Sequence, residues 1–110
     1  MEIYARKEGK SLIFSPKGRL DAVTTPEFES TVLSAVDKGD IQVLIDMGNI
    51  DYISSAGLRS FVVLMKKLKQ LHGRLILFAL QKQVMEVFAI CGFSSIITIA
   101  DTQQEALGKV

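Results

Sequence analysis

Apolar and polar residues alternate at the start of this chain and then settle into longer rhythms. Ile3 and Ala5 alternate with polar neighbours and predict a short first strand, with Glu8-Gly9-Lys10 as a hairpin turn behind it. Leu12, Ile13 and Phe14 begin a second strand, and a third extended piece is expected after Pro16-Lys17-Gly18, running through Leu20. Thr24-Thr25-Pro26-Glu27 reads as a helix start. Thr25 can cap the first amides, with Pro26 where its missing N–H costs nothing. With Thr24 as the cap instead, Glu27 completes a capping box. Phe28, Val32, Leu33, Ala35 and Val36 form a helical apolar stripe that Gly39 ends.

Ile41, Val43, Leu44 and Ile45 make a dense apolar run between Asp40 and Asp46, as suits a central strand buried on both faces. After Gly48-Asn49, Ile50-Asp51-Tyr52-Ile53 leads into a second helix, whose core face is marked by Leu58, Phe61, Val62, Met65 and Leu68 and which ends at His72-Gly73. Leu75 to Phe78 make the next central strand. Val84, Val87, Phe88 and Ile90-Cys91 suggest a third helix closed by Gly92. Ile96, Ile97 and Ile99 give a last strand, and Thr102 caps a short helix running to Leu107. Strands alternating with helices after residue 40 imply βαβ units. The expected class is α/β, a four- to five-stranded mixed β-sheet flanked by about four α-helices, with residues 1–110 forming a single domain.

Composition narrows the functions available. Thirteen Lys and Arg against twelve Asp and Glu leave a formal charge of +1, so no bulk attraction draws the chain to nucleic acid or to an acidic membrane surface. Trp is absent, which argues against a base-stacking platform. No apolar run approaches the ~18 residues of a membrane span, and Met1-Glu2-Ile3-Tyr4-Ala5-Arg6-Lys7 is too polar for a signal peptide; a cytoplasmic location is expected. Cys91, the only cysteine, reads as a small core residue. His72, the only histidine, sits at a helix end, where it is expected to meet the last carbonyls. One Cys and one His build no zinc site, no glycine loop of the phosphate-cradling kind occurs, and Ser54 and Ser55 lack the G-x-S-x-G elbow of hydrolases. No cofactor is called for, and an enzyme is not expected.

What stands out is Asp51-Tyr52-Ile53-Ser54-Ser55-Ala56-Gly57-Leu58-Arg59, a small polar loop opening directly into a helix. A serine there can cap the helix, contributing about 1 kcal/mol. The alternative is a serine standing exposed at the N-terminus, where free amides and the positive end of the dipole favour a phosphate. Further along, Arg59, Val63, Lys66 and Gln70 share one stripe of that helix, roughly opposite its core face; it reads as a solvated face, while an exposed Val63 among cations would fit a partner surface.

Val43-Leu44-Ile45-Asp46-Met47 followed by Ile50-Asp51-Tyr52-Ile53-Ser54-Ser55-Ala56-Gly57-Leu58 closely resembles the signature of the STAS family, named after sulfate transporters and anti-sigma factor antagonists. Gly18-Arg19-Leu20-Asp21 resembles that family's G-x-[LI]-D element, and the resemblance covers essentially the whole chain. The family motif commonly reads D-S-x-G-L, with its serine as phosphoacceptor. That role carries to Ser55, two before Gly57, with Ser54 the lesser candidate; Ser54 stands where the acidic residue is usual, which removes a negative charge beside the acceptor. The resemblance implies a STAS fold and an anti-sigma factor antagonist. Its unmodified form docks on an anti-sigma factor serine kinase and frees a sigma factor, phosphorylation at Ser55 turns docking off, and a serine phosphatase restores it. ATP and magnesium belong to the kinase. The implied docking surface takes in Asp21, Tyr52, Ser54, Ser55, Ala56, Gly57, Arg59, Val63 and Lys66, and Gly57 is expected to keep the approach to the hydroxyl open. A STAS adaptor in another assembly, such as a lipid-transport complex or a stress-signalling scaffold, is the alternative. Neither reading calls for nucleic acid or membrane insertion.

Overall fold

The computed structural model describes all 110 residues. Its first unit is the hairpin β1 (Glu2–Glu8) and β2 (Ser11–Leu20), antiparallel, with Glu8 opposite Ser11 and Gly9 at φ +61° in the two-residue turn. β2 is one strand of ten residues, where two pieces were expected. Its first half, Ser11 to Phe14, pairs parallel with β3 (Gln42–Asp46). Pro16 lies beyond the last β3 partner, so its missing N–H breaks no bond to β3. At Gly18, φ +119°, the register shifts, and the last residues of β2 pair parallel with β4 (Ile50–Ile53). One strand thus serves two parallel partners in succession, and β4 is a strand where a lead-in to the helix was expected.

The main sheet runs β1-β2-β3-β5-β6, with β5 at Arg74–Phe78 and β6 at Thr98–Ala100, and β4 joins it only through β2. β3 is therefore central, as its apolar run requires. Side chains alternate across it. Leu12, Phe14, Val43, Ile45, Leu75 and Leu77 face a large core. That core is closed by α1 (Thr25–Asp37), α2 (Ser55–Gln70) and α3 (Lys82–Ile90). Ile13, Leu44 and Ile76 face the other side, covered by Ala106 of α4 (Gln103–Leu107). Phe61 of α2 meets Phe28 of α1 edge-on at 5.6 Å and Phe88 of α3 at 6.0 Å, so one ring ties the three helices together.

Several local expectations change. The core face of α2 includes Leu64, fully buried, whereas Val62 and Met65 are only half-buried. Cys91 is exposed rather than in the core. The buried stripe of α3 is Val84 and Phe88, and the helix ends at Ile90, itself exposed, with Cys91 as its C-cap. Ile96 is also exposed and precedes β6, behind a 3-10 turn at Phe93–Ser95. At the end of α2, His72 takes the left-handed conformation, φ +60°, that glycine usually supplies, and its backbone N–H donates to the Lys69 carbonyl at 3.1 Å. Gly73 is needed one residue later, because a Cβ there would lie 2.3 Å from the Ile41 carbonyl oxygen. Thr102 caps α4 as expected, accepting from the Glu105 amide at 3.2 Å. No helix is long and apolar enough to cross a membrane.

Candidate functional site

Because β2 and β4 are parallel neighbours, with Leu20 opposite Ile53, the loops that leave their ends emerge side by side. One carries Asp21 into α1; the other carries Ser54 into α2. The Ser54 amide donates to the Leu20 carbonyl at 2.9 Å and ties the two loops together. This juxtaposition brings Asp21, Tyr52, Ser54 and Ser55 to one edge of the molecule.

The two serines divide the roles that the sequence left open between them. Ser54 is the N-cap of α2, in extended conformation, and its Oγ accepts from the Gly57 amide at 3.5 Å. Ser55 is the first helical residue and is exposed. Its hydroxyl makes no side-chain hydrogen bond within the chain, so capping does not occupy it. Of the first-turn amides, that of Gly57 is taken by the cap, while those of Ser55 and Ala56 have no intrahelical acceptor, and the positive end of the helix dipole favours an anion there. Arg59, four residues on and exposed, is on the same face.

Gly57 has a different reason from the one expected. It is buried, and a Cβ would lie 2.7 Å from Ile53 Cγ1 and 3.1 Å from the Leu20 carbonyl oxygen. Its lack of a side chain lets α2 sit down on the ends of β2 and β4, and as a buried residue it offers a partner little surface.

On the other loop, neither Thr24 nor Thr25 caps α1 through its side chain. Asp21 instead braces the turn ahead of the helix. Its Oδ1 accepts from the Val23 amide at 2.9 Å and the Thr24 amide at 3.0 Å, and its backbone carbonyl accepts from Thr25 at 3.0 Å. The donation from Thr24, then that from Val23, holds the Asp21 carboxyl below its ordinary value, with Arg19 adding a smaller electrostatic pull. Arg19 also lies 4.3 Å over the ring of the exposed Tyr52, linking the β2 and β4 sides of the edge.

Between α1 and α2, beside Ser55, lies a shallow hollow of about 490 Å³ lined by Ala22, Thr25, Pro26, Glu29, Ala56, Arg59, Ser60 and Val63. Ser60 donates to Glu29 Oε1 at 2.9 Å across it, while the buried Thr25 Oγ1 has no partner. The α1 side of this hollow was missed in the sequence. Thr25 and Pro26 were visible there only as helix-start signals, and nothing local says that their helix packs beside the serine loop. Of the docking residues expected, Asp21, Tyr52, Ser54, Ser55, Ala56, Arg59 and Val63 gather around this edge and hollow. Lys66 is set apart, in a second groove farther along α2.

The STAS domain matches residues 2–106. The chain belongs to the STAS family. BtrV of Bordetella bronchiseptica is 38% identical over 106 residues, covering 96% of this chain and 91% of that protein. The anti-sigma-B factor antagonist of Listeria monocytogenes is 34% identical over 92 residues, 84% of this chain and 81% of its own. Among solved structures, the anti-sigma factor antagonist SpoIIAA in its unphosphorylated form superposes with a TM-score of 0.76 at 18% identity, covering 98% of this chain and 96% of its own. The phosphorylated form of SpoIIAA, described as a Bacillus cell fate determinant, gives 0.74 at 18%, with 98% of each chain covered. At that identity the likeness to SpoIIAA is one of fold: the STAS sheet and its helices are shared.

Proposed function

We propose that this STAS domain is an anti-sigma factor antagonist that docks, through the edge around Ser55, on an anti-sigma factor serine kinase, and that phosphorylation of Ser55 ends the docking. The observation that carries the reading is the division of labour at the start of α2: Ser54 is committed to the cap, and Ser55 presents a free, exposed hydroxyl beside the Asp21 loop. The name of the Listeria relative and the existence of SpoIIAA in unphosphorylated and phosphorylated forms support the class of function. The domain on this reading is not an enzyme, works in the cytoplasm, and meets a serine phosphatase that resets it.

Electrostatics makes the switch local. A phosphate adds about −1.5 to −2 charges at neutral pH. At the N-terminus of α2 the dipole favours it by roughly 0.3–1 kcal/mol, and Arg59 at i+4 can pair with it. The fold therefore tolerates the modification, while a partner packed over Ser55 faces a bulky solvated anion and loses the use of Arg59.

A pull-down from the host with mass spectrometry, comparing wild type with Ser55→Asp, tests the reading. Recovery of a serine kinase of anti-sigma type by wild type, and its depletion with Ser55→Asp, is the expected result. Equal recovery of transporter or scaffold subunits by both proteins would replace this reading with that of a non-phosphorylated adaptor.

A further inference from the structure

A second groove runs along the other flank of α2, between that helix, the start of β5, the 3-10 turn and β6, and encloses about 890 Å³. Its charge is one-sided. Arg59, Lys66, Lys69 and Arg74 line it, all exposed, and no aspartate or glutamate does. The ion pairs of the chain are Met1–Glu27, Lys7–Asp40 and Arg19–Asp21, so none of these four cations has an acidic partner. This is segregation rather than bulk charge, since the whole chain carries only +1. Between the cations the groove is apolar. Val62, Met65, Leu68, Leu75 and Phe93 line it, with Val63 and Ile96 exposed by 46% and 52%.

We propose that this groove docks an acidic amphipathic segment of a partner protein. The apolar strip takes the hydrophobic side chains of the segment, and the four cations meet carboxylates on its flanks. From Arg59 to Lys69 the wall of α2 is roughly 15 Å long at ~1.5 Å per residue, room for two to three turns of a helix. A planar lipid surface would meet the cations but leave the recessed Leu68 and Leu75 untouched, since both are buried below the rim. The inference goes beyond the Ser55 reading and stands without it: Arg59 and Val63 line both hollows and form the ridge between them, but Lys66, Lys69 and Arg74 line this groove alone, and neither Ser55 nor any residue of the Asp21 loop does.

The test titrates the full ¹⁵N-labelled chain with a synthetic helical peptide that carries Leu and Phe on one stripe and Glu elsewhere. Parallel arms use the same peptide with Gln for Glu, phosphatidylglycerol vesicles, and laurate. Saturable amide shifts are expected at Val62, Met65, Lys69, Phe93 and Thr98 with the Glu peptide, with affinity at least about tenfold lower for the Gln peptide. Lys66→Glu/Lys69→Glu, checked for an intact dispersed spectrum, should lower affinity by at least a similar factor, and Lys66→Gln/Lys69→Gln by less. Ser55→Asp, whose carboxylate can engage only Arg59 of the four cations, should lower it by less than Lys66→Gln/Lys69→Gln does. Equal binding of both peptides, shifts confined to other surfaces, binding of vesicles or laurate without the Glu peptide, or no binding of any probe would each overturn the proposal. Loss of peptide binding in Ser55→Asp would overturn its independence from the phosphorylation edge.

Discussion

At the scale of single residues, neighbouring positions with the same side chain do different work because the backbone places them differently. Ser54 and Ser55 are alike in sequence, but only Ser54 has the extended conformation and the reach to the Gly57 amide that make a cap. Ser54→Ala is therefore expected to cost about 0.5–1 kcal/mol in urea unfolding, at the low end for a cap because the bond is long, and Ser55→Ala should cost almost nothing. Gly57→Ala should cost more, about 1–3 kcal/mol, because its methyl group must displace Ile53 or push α2 away from the Leu20 carbonyl. Asp21 adds a pH dependence. Its carboxyl titrates below the ordinary 3.8 in the folded chain, so the charged form contributes stability that is fully present above 3.8 and is lost as pH falls through the lower folded value. Urea unfolding of wild type and Asp21→Asn at a series of pH values should show a wild-type advantage that is flat near neutrality and shrinks below about pH 4.

At the scale of elements, the long periodic segments could be read from the sequence and the short ones could not. The apolar run at Val43 to Ile45 and the stripe Phe28, Val32 and Val36 each bury against several partners, so their pattern is strong and the structure keeps them. β4 has four residues, and its two middle ones are exposed; it is a strand only because β2 continues past Gly18 to meet it, a partnership made thirty residues away that local periodicity does not contain. The threonines beside α1 suggest a cap in sequence, but no side chain caps this helix; the Asp21 carboxylate instead braces the turn that leads into it, from the previous strand's end. The burial habit of free cysteine points Cys91 inward, but it is exposed at the C-cap of α3. The α2–β5 junction offers an element-scale check. His72→Gly should relieve a left-handed residue, gaining up to about 1 kcal/mol once the added chain entropy of glycine is subtracted from a strain of roughly 1–2 kcal/mol. Gly73→Ala should destabilise by about 3 kcal/mol or more, since the obstacle is the Ile41 backbone rather than a movable side chain. Thermal unfolding of the two variants should therefore move in opposite directions.

At the scale of the whole molecule, the sheet is a scaffold that delivers two loops to one edge. The motif around Ser55 was legible in the sequence because it is contiguous through Arg59; its α1 surroundings were not, because Pro26 and Glu29 reach the edge only through the packing of α1 beside α2. The measurement that bears most directly on the proposed switch is incubation of wild type, Ser54→Ala and Ser55→Ala with the cognate anti-sigma kinase and ATP. The modified site is mapped by mass spectrometry, and the kinase affinity of each product is read by calorimetry. Phosphate on Ser55 in wild type and in Ser54→Ala, none in Ser55→Ala, and weakened binding only where phosphate has been added are expected, with circular dichroism unchanged throughout. Phosphate on Ser54 in wild type, or phosphorylation of Ser55 that leaves the kinase bound as tightly as before, would contradict the account.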